Sequence, residues 1–197
     1  MEADRLARQL SFALEIDKEK QVLRQTRLLG YGRRENDAEH AWHMTVMAYL
    51  LREYANERID LARTMIMTLT HDLVEIYAGD TYAYDVQGRE TAHAREQEAA
   101  DRLFSLLPDD QARDLRDLWE EFERNDTPEA RFAHAMDNVQ PMMLNDANGG
   151  RDWRARELPR SAPASRNEMT RLGSTRLAEY FDDVLDAHVA AGNLRDE

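Results

Sequence analysis

The chain has 197 residues, no cysteine, and 26 basic against 39 acidic side chains, a formal charge of −13. This length suits one domain whose core needs no cross-links. The missing thiols exclude disulfide frameworks, thiolate zinc sites, iron–sulfur clusters and a cysteine nucleophile, and the acidic balance argues against a nucleic acid polymer or an anionic membrane as partner.

Valine and isoleucine together number only 11, while Leu, Ala, Met, Glu and Arg dominate. The composition therefore predicts an all-α fold. A first helix is expected over about residues 3–15 and a second over about 17–29, broken by Gly30-Tyr31-Gly32. Asn36 or Asp37 then offers an N-cap to a helix reaching about Tyr54, with Met44, Met47, Ala48 and Leu51 at helical spacing. The next helix, about 58–78, carries Leu61, Ala62, Met65, Ile66, Leu69 and Leu73 and ends at Gly79. Residues 80–88 form a loop, followed by helices over about 89–106 and 110–123. Thr127-Pro128 starts a helix that runs to about Asn145. Gly149-Gly150 ends it, and 150–165, with Pro159 and Pro163, reads as an irregular connection. Ser174 caps a last helix ending near Gly192. There is no repeat and no linker, so one helical domain is expected over 1–197, its core at about 10–150 and the 151–197 loop and helix packing on it.

Apolar runs such as Met47–Leu51 fall far short of the ~20 residues that span a bilayer. The charged start MEADRLARQL lacks the apolar stretch of a secretory leader, so a cytoplasmic location is expected. Arginine outnumbers lysine, which occurs only at Lys18 and Lys20. From Arg24 to Arg34 four arginines (24, 27, 33, 34) occur with no acid, an island able to hold a small anion.

His71-Asp72 lies inside an apolar helical pattern, and Glu75 is one turn after His71. A buried Asp is costly unless it is paired or binds a metal. The trio is therefore either a local hydrogen-bonded group or part of a site. His40 and His43 lie one turn apart on the preceding helix, and Asp137 sits among apolar residues in RFAHAMDNVQPMML. His43 and His134 read as supporting neighbours, His93 and His188 as members of charged, exposed stretches, and Trp119 and Phe122 as core.

His40, then His71-Asp72, then Asp137 resembles the H…HD…D signature of the HD-domain metal-dependent phosphohydrolases. ENDAEHAWHM, HDLVEIYAGDTY, LLPDDQARDLRDLWEEFERNDTPEARFAHAMD and Arg24-Gln25 are similar to bacterial members near the 5′-deoxynucleotidase branch, over roughly residues 10–150. The resemblance implies an HD-domain helical bundle in which His40, His71, Asp72 and Asp137 bind one divalent cation (Mn, Co, Mg, Fe or Zn). It also implies that Glu75 activates or positions the attacking water. Asp80 would assist proton transfer or hold the leaving group, with a turn cap in Gly-Asp-Thr as the rival reading. Arg24 would clamp the phosphate, with Arg33 and Arg34 adding to the field. Gln25 stands where that branch has a Trp packed against the sugar, so strict selection of deoxyribose is not implied.

The activity expected is a phosphomonoesterase acting on a nucleoside 5′-monophosphate, with water attacking directly. No nucleophile elbow and no P-loop occurs in the sequence. The alternatives are another phosphate ester, a longer phosphate chain, oxidative chemistry at a two-iron centre drawing on His93 or His134, and a non-catalytic helical module stabilised by metal. The partners expected are a small phosphorylated substrate and, through the resemblance, a second copy of the chain in a homodimer. Beyond residue 150 no functional motif is recognised.

Overall fold

A computed structural model describes residues 2–197. Helix α1 (Glu2–Glu15) buries Phe12 against Leu73, Val74, Leu103, Phe104 and Trp119, and Arg5 anchors its start to Asp110 at 2.7 Å. The chain then departs from the expected second helix. A 3-10 turn (Ile16–Gln21) leads into strand β1 (Leu23–Arg27), which pairs antiparallel with β2 (Arg34–Asn36). Gly30 and Tyr31 take positive φ angles of 80° and 60° and reverse the chain. The segment RQTRLLGYGRR has no apolar stripe to bury as a helix, so long-range hydrogen bonds decide its shape. Asn148 accepts from the Tyr31 N–H at 2.8 Å and donates to the carbonyls of Arg27 and Leu28.

Helix α2 (Asp37–Leu51) opens with a reciprocal capping box between Asn36 and Glu39, so Asn36, not Asp37, is the cap. Helix α3 (Leu61–Thr70) starts at Asp60, whose side chain accepts from the Arg63 N–H. The expected helix over 58–78 is broken after Thr70. The Leu73, Glu75 and Ile76 N–H groups bond three residues back, to Thr70, Asp72 and Leu73, and the short helix α4 (Glu75–Ala78) follows. This tighter winding turns His71, Asp72 and Glu75 toward one side.

Helix α5 (Val86–Phe104) begins three residues earlier than expected, with Asp85 capping Gly88. Helix α6 (Asp109–Arg124) ends on Asn125 at φ 52°. Helix α7 (Pro128–Ala147), capped by Thr127, is the central element: Phe132, Ala133, Ala135, Met136 and Val139 are all buried. It packs against α2, α3 and α6. The stretch expected to be irregular holds α8 (Arg151–Ala155) and the start of α9 (Ser161–Gly173). Pro163 does not prevent the helix because the first turn needs no N–H from it. Helix α10 (Thr175–Ala190) is capped by Ser174 as expected. Both α9 and α10 pack on α7.

Gly173 lets α9 touch the α7 backbone: a Cβ there would lie 2.1 Å from the Arg131 carbonyl oxygen. His188, expected in an exposed stretch, is buried. It bonds Asp146 at 2.9 Å and Asn193 at 3.0 Å because α10 folds back over α8 and Trp153. Among the described residues the fold is thus all-α apart from one two-stranded hairpin. Among the described residues, no helix is long and apolar enough to cross a membrane.

Candidate metal centre

Four elements meet at one cleft: β1 brings Arg24 and Gln25, α2 brings His40, the α3–α4 turn brings His71, Asp72 and Glu75, and α7 brings Asp137. His40, His71 and Asp72 offer ligand atoms within 4.8 Å of one another. His40 Nε2 lies 3.1 Å from Asp137 Oδ1, and His71 Nε2 lies 3.0 Å from Asp72 Oδ2 and 4.0 Å from Asp137 Oδ1.

The far side of each imidazole fixes its tautomer. Gln140 Nε2 donates to Glu35 Oε2 at 2.9 Å and to His43 Nδ1 at 3.1 Å, so the amide is oriented with Oε1 toward His40. Oε1 accepts from His40 Nδ1 at 2.9 Å. His71 Nδ1 donates to the Thr68 carbonyl at 3.0 Å. Both Nε2 atoms are left to point inward, the arrangement that supports metal-binding histidines elsewhere. His71 Nε2 is buried, and the nearby Asp72 oxygen is not in line to serve as its hydrogen-bond partner. Two imidazoles and two carboxylates converging with an unpartnered nitrogen form a nitrogen–oxygen donor set that suits a first-row divalent cation.

The electrostatics describe the same place. Burial opposes ionisation of Asp72, but His71 and Arg24 outweigh it and hold the carboxyl below its ordinary range. Asp137 is likewise held down, against its burial, by His40 and Arg166. Burial also works against the His71 imidazolium, yet Asp72 raises its pKa to about 9. His40 is pushed down by burial and by Arg24. Glu75 is raised well above the usual range by burial and by Asp72 and Asp37, and its Oε2 is buried with no hydrogen-bond partner. Asp80, just beyond Gly79, is raised by burial.

The sequence-predicted residues fare differently. His40, His71, Asp72, Glu75 and Asp137 converge, and Asp80 and Gln25 line the cleft. Arg24 is brought to the centre and engaged there. Its Nη1 is 2.7 Å from Asp72 and 3.4 Å from Asp37, its Nη2 is 3.8 Å from Asp137, and its Nε is 3.9 Å from Glu35. Arg33 is not brought in: its side chain is 59% exposed and forks onto Glu39 of the capping box. His134 Nε2 donates to the Phe122 carbonyl at 2.8 Å and its ring stacks on Phe122, away from the ligand atoms. His93 is exposed, 3.9 Å from Glu123.

Sequence reasoning missed Glu35, Asp37, Gln140 and the far wall of the cleft. Gln140 carried a usable signal, an amide inside an apolar run three residues after Asp137. Asp37 was masked by its cap-like position. On the far wall Arg156 stacks over Tyr82 at 4.2 Å and donates to Gln25 Oε1 at 2.9 Å, and Arg166 reaches Asp137 Oδ2 at 3.5 Å. The cleft is open to solvent, and Arg24, Asp72, Glu75, Asp80, Asp137 and Arg166 are among the polar side chains that line it.

A family model described as HD domain matches residues 16–176. The 5′-deoxynucleotidase HDDC2 of Homo sapiens is 32% identical over 111 residues, 56% of this chain and 53% of that protein. The Danio rerio protein of the same name is 30% identical over 163 residues, 80% of this chain and 78% of its own length. The chain spans about half the length of the mammalian relatives it matches. A crystal structure of a predicted metal-dependent phosphohydrolase from Magnetospirillum magnetotacticum is 45% identical, with a TM-score of 0.92 over 97% of this chain and 96% of that one. An HD-domain phosphohydrolase from Listeria innocua, 18% identical with a TM-score of 0.62 over 93% of this chain and 90% of that one, shares the fold. With the H…HD…D residues gathered at one cleft and the family match spanning most of the sequence, the chain belongs to the HD-domain family.

Proposed function

We propose that the protein is a metal-dependent phosphomonoesterase of nucleoside 5′-monophosphates. The observation that carries this reading is the inward pair of Nε2 atoms, locked by Gln140 and Thr68, facing Asp72 and Asp137 at the floor of an open cleft. His40, His71, Asp72 and Asp137 would hold one divalent cation (Mn, Co, Mg, Fe or Zn). When bound, such a cation polarises the phosphoryl group and acidifies water.

The remaining steps fall to side chains. Glu75, with an unpartnered buried oxygen beside Asp72, positions the attacking water and takes up its proton. Water adds to phosphorus as the ester P–O bond breaks. Asp80, which lines the same cleft, delivers a proton to the leaving 5′ oxygen. The products are the nucleoside and inorganic phosphate. Arg24 offsets the acids that surround it. The curated relatives are named 5′-deoxynucleotidases, which supports a nucleoside monophosphate over other phosphate esters. Gln25 presents an amide at the wall of the cleft, and an amide can hydrogen-bond a sugar hydroxyl, so we expect ribonucleotides to be accepted alongside deoxyribonucleotides.

The test is a phosphate-release screen of ribo- and deoxyribonucleoside monophosphates after exhaustive chelation and after return of Mn²⁺, Co²⁺ or Mg²⁺. Activity that survives complete metal removal, or no activity on any nucleotide with any metal, overturns the proposal.

A further inference from the structure

The arginine that sequence similarity nominates to hold the phosphate is surrounded by carboxylates. Arg24 is only 14% exposed in its side chain, and it stands within 4 Å of four carboxylates. Arg166 of α9 is placed differently. Its side chain is 30% exposed, it lines the cleft, and its one contact with an acid is a long 3.5 Å approach to Asp137 Oδ2. Among the described residues it makes no other hydrogen bond. Most of its five donors are therefore uncommitted and lie beside a carboxylate of the candidate metal centre. That contact uses Oδ2, whereas His40 faces Oδ1 of the same carboxylate.

The mounting of Arg166 is rigid. Its neighbour Asn167 is fully buried and donates to the Ala178 carbonyl and to Asp182 Oδ1, both at 2.8 Å. Gly173 lets the same helix lie directly on α7, which carries Asp137. The backbone that carries Arg166 is thereby fixed against α7.

Charge accounting leads to the same residue. A divalent cation offsets Asp72 and Asp137, and Arg24 stands against Asp37 and Glu35. A phosphate dianion entering the cleft then needs positive charge of its own, and Arg166 lines the cleft beside Asp137.

We propose that Arg166 is a substrate-binding residue that grips the non-bridging oxygens of the phosphate. The proposal rests on the phosphomonoesterase reading of the site, and it gives the helix at 161–173 a functional role. A forked guanidinium matches two phosphate oxygens at once.

The experiment is calorimetric titration of the Mn²⁺-loaded protein with inorganic phosphate, for wild type, Arg166→Ala and Arg166→Lys, with bound metal quantified in each. Arg166→Ala is expected to weaken phosphate binding by about 10- to 100-fold, the effect of losing a charge-assisted fork, with metal content unchanged. Arg166→Lys should recover part of the loss, as a point charge without the fork. Added guanidinium ion should restore part of the phosphate affinity of Arg166→Ala. Phosphate affinity within about threefold of wild type in Arg166→Ala, a difference under about 1 kcal/mol, overturns the proposal. So does loss of metal together with phosphate, which would make Arg166 a support for Asp137 only. If wild-type protein hydrolyses no nucleotide, the proposed function falls, while the phosphate titration still decides whether Arg166 holds the anion.

Discussion

Gln140→Leu tests whether the buried amide sets the metal centre. Gln140 is fully buried and links three groups: it accepts from His40 Nδ1 at 2.9 Å and donates to Glu35 Oε2 at 2.9 Å and to His43 Nδ1 at 3.1 Å. Leucine keeps a similar volume, so little of the effect comes from a cavity. His43 is half-buried and can turn to water, but His40 Nδ1 and Glu35 Oε2 are left without a partner. At about 1–3 kcal/mol for each stranded group, the fold should lose about 3 kcal/mol, or about 6–12 °C in Tm for a chain of this size. The larger consequence concerns the metal. Without the acceptor at Nδ1, His40 is free to take the tautomer that places its proton on Nε2, facing Asp137. Removing such an orienting partner costs about 10- to 100-fold in metal affinity. The assay is titration of metal-free protein with Mn²⁺ well below the variant's Tm, so that loss of fold does not enter. Affinity within about twofold of wild type would refute the orienting role and leave Gln140 a purely structural residue.

Glu75→Gln should retain metal and lose about 10²–10⁴ in turnover, the range for a positioned proton acceptor; single-turnover rates and metal analysis check both halves, and a variant that loses its metal would make Glu75 a ligand. In the metal-free protein, stability should fall as pH rises from about 6.5 to about 9. His71, raised to about 9 by Asp72 against its burial, stabilises fully below its ordinary 6.5 and loses that contribution through 9, while Glu35 and Asp37, raised by burial to about 7 and about 8, already lower stability from their ordinary carboxylate range up to those values. Thermal unfolding across this range, with and without Mn²⁺, reads it, and a rising Tm without metal would contradict the assignment. Gly173→Ala forces a methyl group to within 2.1 Å of the Arg131 carbonyl oxygen and 2.9 Å of Phe132 Cα. Separating α9 from α7 should cost about 3 kcal/mol, measured by denaturant unfolding, and an unchanged midpoint would show that the two helices slide apart freely.

The elements legible in the sequence were those whose signals are local. Thr127-Pro128 and Ser174 start helices because a cap and a missing N–H act within one turn, and the Met44–Leu51 spacing marks a buried stripe wherever the helix docks. The hairpin at 23–36 was not legible: its arginine-rich strand carries no β-branched pattern, and its shape depends on Asn148, more than a hundred residues away. Helix α9 was hidden by Pro159 and Pro163, which punctuate as strongly before a helix as within a loop. In the site, His71, Asp72 and Asp137 stood out because His and Asp inside apolar runs are costly without a purpose, while His40 was set apart from His43 only by the family resemblance. Arg166, Arg156 and Glu35 stood out in no way, since charged residues in polar stretches are ordinary.

Composition and local pattern by themselves therefore determined that the chain is helical, that its chemistry is restricted to nitrogen and oxygen donors, and which His and Asp residues break the apolar stripes. Tertiary structure alone decided the rest. It broke the 58–78 helix so that His71, Asp72 and Glu75 face one way, buried Gln140 where it orients His40, surrounded Arg24 with four carboxylates, and left Arg33 on the surface. The physical reason is that the cost of burying a charge, and the partner that offsets it, depend on distances between elements far apart in the chain, and no local spacing encodes those distances.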